Sequence, residues 1–267
     1  MRAAAIVVVT ALSLCAAAPA AAQEFRGLIE PHRVIKVGSP QAGVLATVDV
    51  DRGDFVRKGQ VLATLQSDVE RAAMELARFK AGMDAGIKAK QGGLLFYEGK
   101  RQRIEQLHKK EMAAQAEMDE AETNRLLAEM QLKESLENKR LSELEYKRAA
   151  EIMHRMTIRS PIDGVVMERL SSPGEYVEKE PVLKIGAINP LNVEVIMPAA
   201  LLTTVKVGMH ATVIPEAPVN GQYTATVKII DRVVDAASGT FGVRLQLPNP
   251  GNRLPAGLKA KVIFPKK

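Results

Sequence analysis

The chain has four imidazoles, His32, His108, His154 and His210, and their spacing limits the chemistry open to it. No two stand at i,i+4, so no zinc-type site can be drawn. There is no Ser/His/Asp or Cys/His arrangement, no phosphate-binding P-loop and no dinucleotide fingerprint. Met209-His210 would suit a copper or silver handoff, but two residues at a turn read as structural. The expectation is a protein that is not an enzyme, with no catalytic residue, no cofactor and no metal.

What the sequence does carry is a repeat. Residues 39–65 and 160–186 align at an offset of 121, with nine identities: Ser39/Ser160, Pro40/Pro161, Gly43/Gly164, Val44/Val165, Gly53/Gly174, Val56/Val177, Lys58/Lys179, Val61/Val182 and Leu62/Leu183. Asp54/Glu175 and Phe55/Tyr176 are close matches. Nine coincidences at one offset mean a duplicated unit. Apolar residues alternate in short runs (Val44, Ala46, Val48; Val61, Ala63, Leu65), the period of a half-buried strand. Gly43 and Gly164 follow Ser-Pro-x-x, where a turn with positive φ is expected, and Gly53 and Gly174 occupy the next turn. One copy of three or four short strands is too small to bury its apolar face alone. Two copies face to face would form a sandwich.

Between the copies lies a stretch of another kind. Residues 68–156 contain no proline, although the chain has 14. Ser67 and Asp68 are N-cap candidates. A 3/4 walk from Val69 through Ala73, Leu76, Lys80, Met83, Ile87, Lys90, Leu94, Tyr97, Arg101, Ile104 and His108 gives a heptad-like seam. The second half has Leu127, Met130, Leu141 and Leu144 on one face with Leu132 and Leu136 beside it, a broken stripe that leaves room for a second buried face. Residues 68–110 carry ten Lys/Arg against six Asp/Glu, and residues 111–156 carry seven against eleven, so the halves attract each other. The pattern predicts an antiparallel hairpin of two helices of about 40 residues, a rod of roughly 60 Å. Five glycines in the first helix (Gly82, Gly86, Gly92, Gly93, Gly99) each cost about 1 kcal/mol against alanine. Intact lipoyl and biotinyl domains carry a modified lysine at a tight hairpin; here helices replace that hairpin, which excludes a carrier role.

The first 22 residues read as an export signal: Arg2, an apolar run from Ala3 to Leu14, then Ala20-Ala21-Ala22 before Gln23. An uncleaved anchor is the alternative. The only cysteine, Cys15, lies in this segment, so the remainder needs no particular redox compartment. Net charge is +6, but an exported chain without aromatics interleaved among its basic residues does not read as a nucleic-acid binder. After residue 189 come strand candidates at Leu191–Met197, 211–214, 223–231, 240–247 and 258–264, with Asn220-Gly221 as a hairpin signal. The early strand 27–37 has no local partner and is expected to join them. This region carries nine Lys/Arg against four Asp/Glu, suited to anionic headgroups or an acidic partner.

This layout resembles the periplasmic adaptors, or membrane fusion proteins, of the hemolysin-secretion-D and RND-type efflux families. The split Ser-Pro-x-x-Gly…Gly-[Asp/Glu]-[Phe/Tyr]-Val-x-Lys repeat and the runs 191–216 and 231–264 carry the likeness. It implies an α+β, elongated, multi-domain chain: a leader (1–22), a split lipoyl-like β-sandwich (38–67 and 158–188), an inserted α-helical coiled-coil hairpin (68–157) and a small β-barrel (23–37 and 189–265). The family's further membrane-proximal domain is expected to be missing after residue 265. The resemblance further implies an adaptor that forms a six-copy duct between an inner-membrane transporter (RND favoured, MFS or ABC as alternatives) and a TolC-like outer-membrane channel. The family's channel-docking tip has Arg, Leu four later and Ser seven after that. Arg103 and Leu107 match, Ala114 stands at the serine position, and Asp119 falls in the family's Asp-x-Ala. A periplasmic coiled-coil protein without a transporter is the other reading.

Overall fold

The computed structural model describes residues 23–265; the expected leader and its Cys15 lie outside them. The chain divides into two compact units, one built from residues up to Val34 with those from Gly186 onward, the other from Ile35–Ile185. Both boundaries fall inside long strands, β1 (Gln23–Gly38) and β8 (Pro181–Pro198). No turn marks the change, which is why boundaries read from turn signals, at 37 and 189, differ by a few residues.

In the second unit the duplicated copies supply β2 (Gly43–Val48), β3 (Phe55–Val56) and β4 (Val61–Leu65), then β6 (Gly164–Arg169), β7 (Tyr176–Val177) and the start of β8, with β5 (Thr157–Arg159) leading into the second copy. The copies exchange strands. β3 of the first pairs with β6 of the second, and β7 of the second pairs with β2 of the first. One layer runs β5-β4-β2-β7, and the other takes the first residues of β8 with β6 and β3. Between them lies one core, with Leu45, Val56, Leu62, Val166, Val177 and Leu183 among its buried members.

The turns follow the repeat, with one correction. Gly53 (φ 97°) and Gly174 (φ 89°) are left-handed, and their N–H groups donate to Val166 O and Leu45 O, both at 2.8 Å. Gly43 and Gly164 are not among the positive-φ residues. The turn before them is made by serine: Ser39 Oγ donates to Gln41 O, and Ser160 Oγ donates to Ile162 O at 2.6 Å. Each glycine instead opens a strand opposite the buried valine of the other copy, Gly43 with Val177 and Gly164 with Val56.

Between the copies the chain is helical: α1 (Asp68–Ala81), α2 (Ala85–His108) and α3 (Gln115–Arg155). The first arm is thus two helices, not the single one expected. The first unit is a ring of strands. β1 pairs with β12 (Lys259–Phe264), β12 with β9 (His210–Pro215), β9 with β10 (Tyr223–Ile230), β10 with β11 (Thr240–Leu247), and β11 with β8. A β1–β8 pairing closes it. The alternating inward residues Leu191, Val193, Val195 and Met197 of β8 fill it with Val213, Val227, Val243 and Leu245. Asn249 is buried yet satisfied: its side-chain amide donates to Ile188 O and Leu254 O, and its Oδ1 accepts from Leu254 N–H.

Closure depends on Gly27. A Cβ there would lie 3.0 Å from Val193 Cγ1 and Val262 Cγ2 and 3.2 Å from Glu194 O. Gly27→Val is expected to destabilise the ring by about 1–3 kcal/mol through overpacking. Urea denaturation should show a lowered midpoint.

Candidate functional site: the helical hairpin and its tip

The inner face of α3 is spaced in sevens: Ala121, Ala128, Ser135, Ser142 and Ala149. Ala121 and Ala128 are the buried residues of this helix. Small residues let the arms approach closely; a Cβ on Gly86 of α2 would be 4.0 Å from Ser135 Oγ. Most large residues of the expected α3 stripe therefore go elsewhere, while Leu132 is partly buried. Leu127, Met130, Leu136, Leu141 and Leu144 are exposed. In α2 the seam holds, with Ile87, Leu94, Tyr97, Arg101, Ile104 and His108 partly buried. In α1 it is one residue out of phase: Glu70, Met74, Ala77 and Ala81 are partly buried, while Val69, Leu76 and Met83 are exposed.

The break between α1 and α2 causes that phase error. Gly82 caps α1 and Asp84 precedes α2. From the facing helix, Lys139 Nζ donates to Ala81 O at 3.0 Å and to the Asp84 carboxylate. One ammonium thus serves an orphan carbonyl at the end of one helix and a carboxylate at the start of the next. The hydrogen bond from Lys139 holds the Asp84 carboxyl below its ordinary range. Two further ion pairs cross between the arms, Lys100–Glu120 and Arg101–Glu122, at 3.8 and 3.6 Å. Exposed pairs of this kind contribute little stability, roughly 0–1 kcal/mol, so their weight lies in register.

At the far end α2 finishes in a Schellman turn. Met112 N–H donates to Leu107 O and Glu111 N–H to His108 O, both at 2.9 Å, with Glu111 left-handed at φ 57°. His108 Nδ1 lies 2.9 Å from Ala113 O, pinning the returning strand. Leu107 is 39% exposed and Met112 72% exposed. Met112 was not singled out from the sequence; the signal was available in its place five residues after Leu107. Arg103 is exposed on the last turns of α2 and forms no ion pair among the described residues. Asp119, in the second turn of α3, accepts from Gln115 Nε2 at 2.8 Å.

Ala114 is the N-cap of α3 (φ −74°, ψ 154°) and gives no side-chain cap. The position matched to the family serine is thus a helix start, with Glu117 three residues on, where a capping box would place its acid. Among the described residues no cluster of three or more His, Cys, Asp or Glu could hold a metal. His32 faces Asn192 Oδ1 and His210 faces Thr226 Oγ1, each a local contact of the first unit.

Ala114→Ser is expected to stabilise the start of α3 by about 1 kcal/mol, and Glu111→Gly to relieve a similar left-handed penalty; thermal melts followed by circular dichroism check both. Lys139→Gln should reduce helicity. The depressed Asp84 value stabilises the fold above the unfolded carboxylate pKa of about 3.9, and that contribution is lost as pH falls through the lower folded value. Acid titration of helicity should therefore show a shallower loss for Lys139→Gln than for the parent.

A family model described as CzcB-like, barrel-sandwich hybrid domain matches residues 33–185, and one described as CusB-like, beta-barrel domain matches residues 191–267. A protein of Haemophilus influenzae described as uncharacterized is 22% identical over 238 residues, 88% of this chain; the match spans 55% of that relative's length. The crystal structure of MacA from Actinobacillus actinomycetemcomitans superposes with a TM-score of 0.75 at 20% identity, over 91% of this chain and 78% of that one. The membrane fusion protein Spr0693 from Streptococcus pneumoniae R6 gives 0.62 at 16% identity, over 92% and 100%. These structural likenesses establish the fold, and the first family model spans more than half of the chain. The protein belongs to the membrane fusion proteins, the periplasmic adaptor family of efflux pumps.

Proposed function

We propose that this chain is the adaptor of a tripartite exporter, joining an inner-membrane transporter of the RND type to a TolC-like outer-membrane channel. The observation that carries this reading is the helical arm held at its base by two exchanged β fragments and ending in a built tip. Arg103, Leu107, Ala114 and Asp119 belong to that tip, and Met112 joins them there. An exposed guanidinium beside exposed apolar side chains suits a protein surface with acceptor groups. The leader is removed after Ala22, which places the adaptor in the periplasm. Several copies, six in the family's manner, stand side by side through the apolar residues that the hairpin leaves outside. The CusB-like barrel favours an RND partner. Selectivity for the exported compound belongs to the transporter.

Deleting residues 75–150 is expected to leave an exported, folded protein that no longer supports export. Restored resistance in that deletant would overturn the proposal. In cells, crosslinking from Arg103→Cys should capture an outer-membrane channel, and crosslinking from a barrel cysteine an inner-membrane transporter. Capture of an MFS or ABC transporter would replace the RND assignment. Capture of no outer-membrane protein would favour a structural coiled-coil protein.

A further inference from the structure

The duplicated sandwich carries one more pattern, in its two shortest strands. β3 has β6 as its partner and β7 has β2, and each stands at the end of its strand order, so both are edges. Each points one valine inward, Val56 at 3% and Val177 at 2% exposure. Side chains alternate along a strand, so the residues on either side of each valine share the outward face. In the first copy these are Phe55 and Arg57; in the second they are Tyr176 and Glu178. Phe55 is 59% exposed and Tyr176 65% exposed, and Arg57 and Glu178 are exposed as well. Neither Arg57 nor Glu178 forms an ion pair among the described residues.

The aromatic is kept at the repeat offset while the charge beside it is reversed. The surroundings follow the same sign: residues 51–59 hold three Lys/Arg against two Asp/Glu, and residues 172–180 hold one against three. Two like patches meeting would set like charges together, whereas the first patch of one molecule and the second patch of another are complementary in charge and both aromatic. Such a contact uses two different surfaces of each molecule. It is heterologous, and it propagates into a ring or a chain.

We propose that neighbouring copies of this chain meet through Phe55 and Arg57 of one and Tyr176 and Glu178 of the next. This rests on the multi-copy reading above and assigns it a contact in the sandwich, separate from the hairpin. The aromatic rings supply the buried area, and the Arg57–Glu178 pair sets which patch meets which.

The test uses the mature chain, residues 23–267, which contains no cysteine. Sedimentation velocity should show association for the parent, weakened about tenfold or more by Arg57→Glu and by Glu178→Arg separately, since like charges then face each other. The double variant, with both charges reversed, should recover it. Unchanged thermal melts of the single variants would show that folding is intact. As a second readout, a Phe55→Cys protein mixed with a Tyr176→Cys protein should form a disulfide-linked heterodimer under oxidation, while neither alone does so to a comparable extent. If the parent associates but the single reversals have no effect, the double does not recover, or the mixture fails to link, this contact is overturned and the multi-copy reading stands. A parent that stays monomeric throughout the concentration range overturns both.

Discussion

The structure depends on an exchange of short strands between two fragments 121 residues apart. Neither copy can complete its own sheet, because its second strand is two residues long and its hydrogen-bonding partner lies in the other copy. The glycine that opens each long strand stands opposite the other copy's buried valine, so the two halves meet at a backbone stripped of side chain. Once the halves are held together, the base of the helical insert is fixed as well: α1 leaves after β4, and α3 returns into β5, which pairs with β4. The hairpin is therefore a consequence of β pairing, with its own packing needed only to keep the arms together along their length.

That packing is unusual in what it hides. Most amphipathic helices bury their leucines. Here α3 presents mainly alanine and serine to its partner and leaves Leu127, Met130, Leu136, Leu141 and Leu144 outside. A narrow interface buries little apolar area, so the arms also rely on oppositely charged faces and on Lys139 at the break. The same choice leaves apolar surface available for association with another chain, which a hairpin with a leucine core would have consumed.

The repeat was legible because its markers are local. Ser-Pro-x-x-Gly and the following Gly-[Asp/Glu] fix turns within a few residues, and the alternation around them fixes strands. Even so, the glycine after Ser-Pro reads as the turn residue, whereas the serine hydroxyl makes the turn. The insert was legible as helix from its lack of proline, but not its phase. Five glycines precede the tip, and nothing near Gly82 marks it as the one that ends a helix; the decisive group, Lys139, lies 55 residues beyond Asp84. On α3 the buried face is marked by small side chains, so the size of a residue does not signal its burial there. At the tip, a helix start without a capping side chain gave no signal at Ala114, and a non-glycine left-handed residue hid the Schellman turn at Glu111.

The seven-residue recurrence of small side chains on α3 has a consequence for how such an arm can change length. Close approach is set by which rungs face each other, so adding or removing residues on one strand of the hairpin turns leucine inward and small residues outward. Matched steps of a whole heptad on both strands avoid this. The reach of the arm is in this sense quantised, in increments of about 10 Å, and a chain of this kind adapts to a wider or narrower gap by gaining or losing complete rungs rather than by stretching.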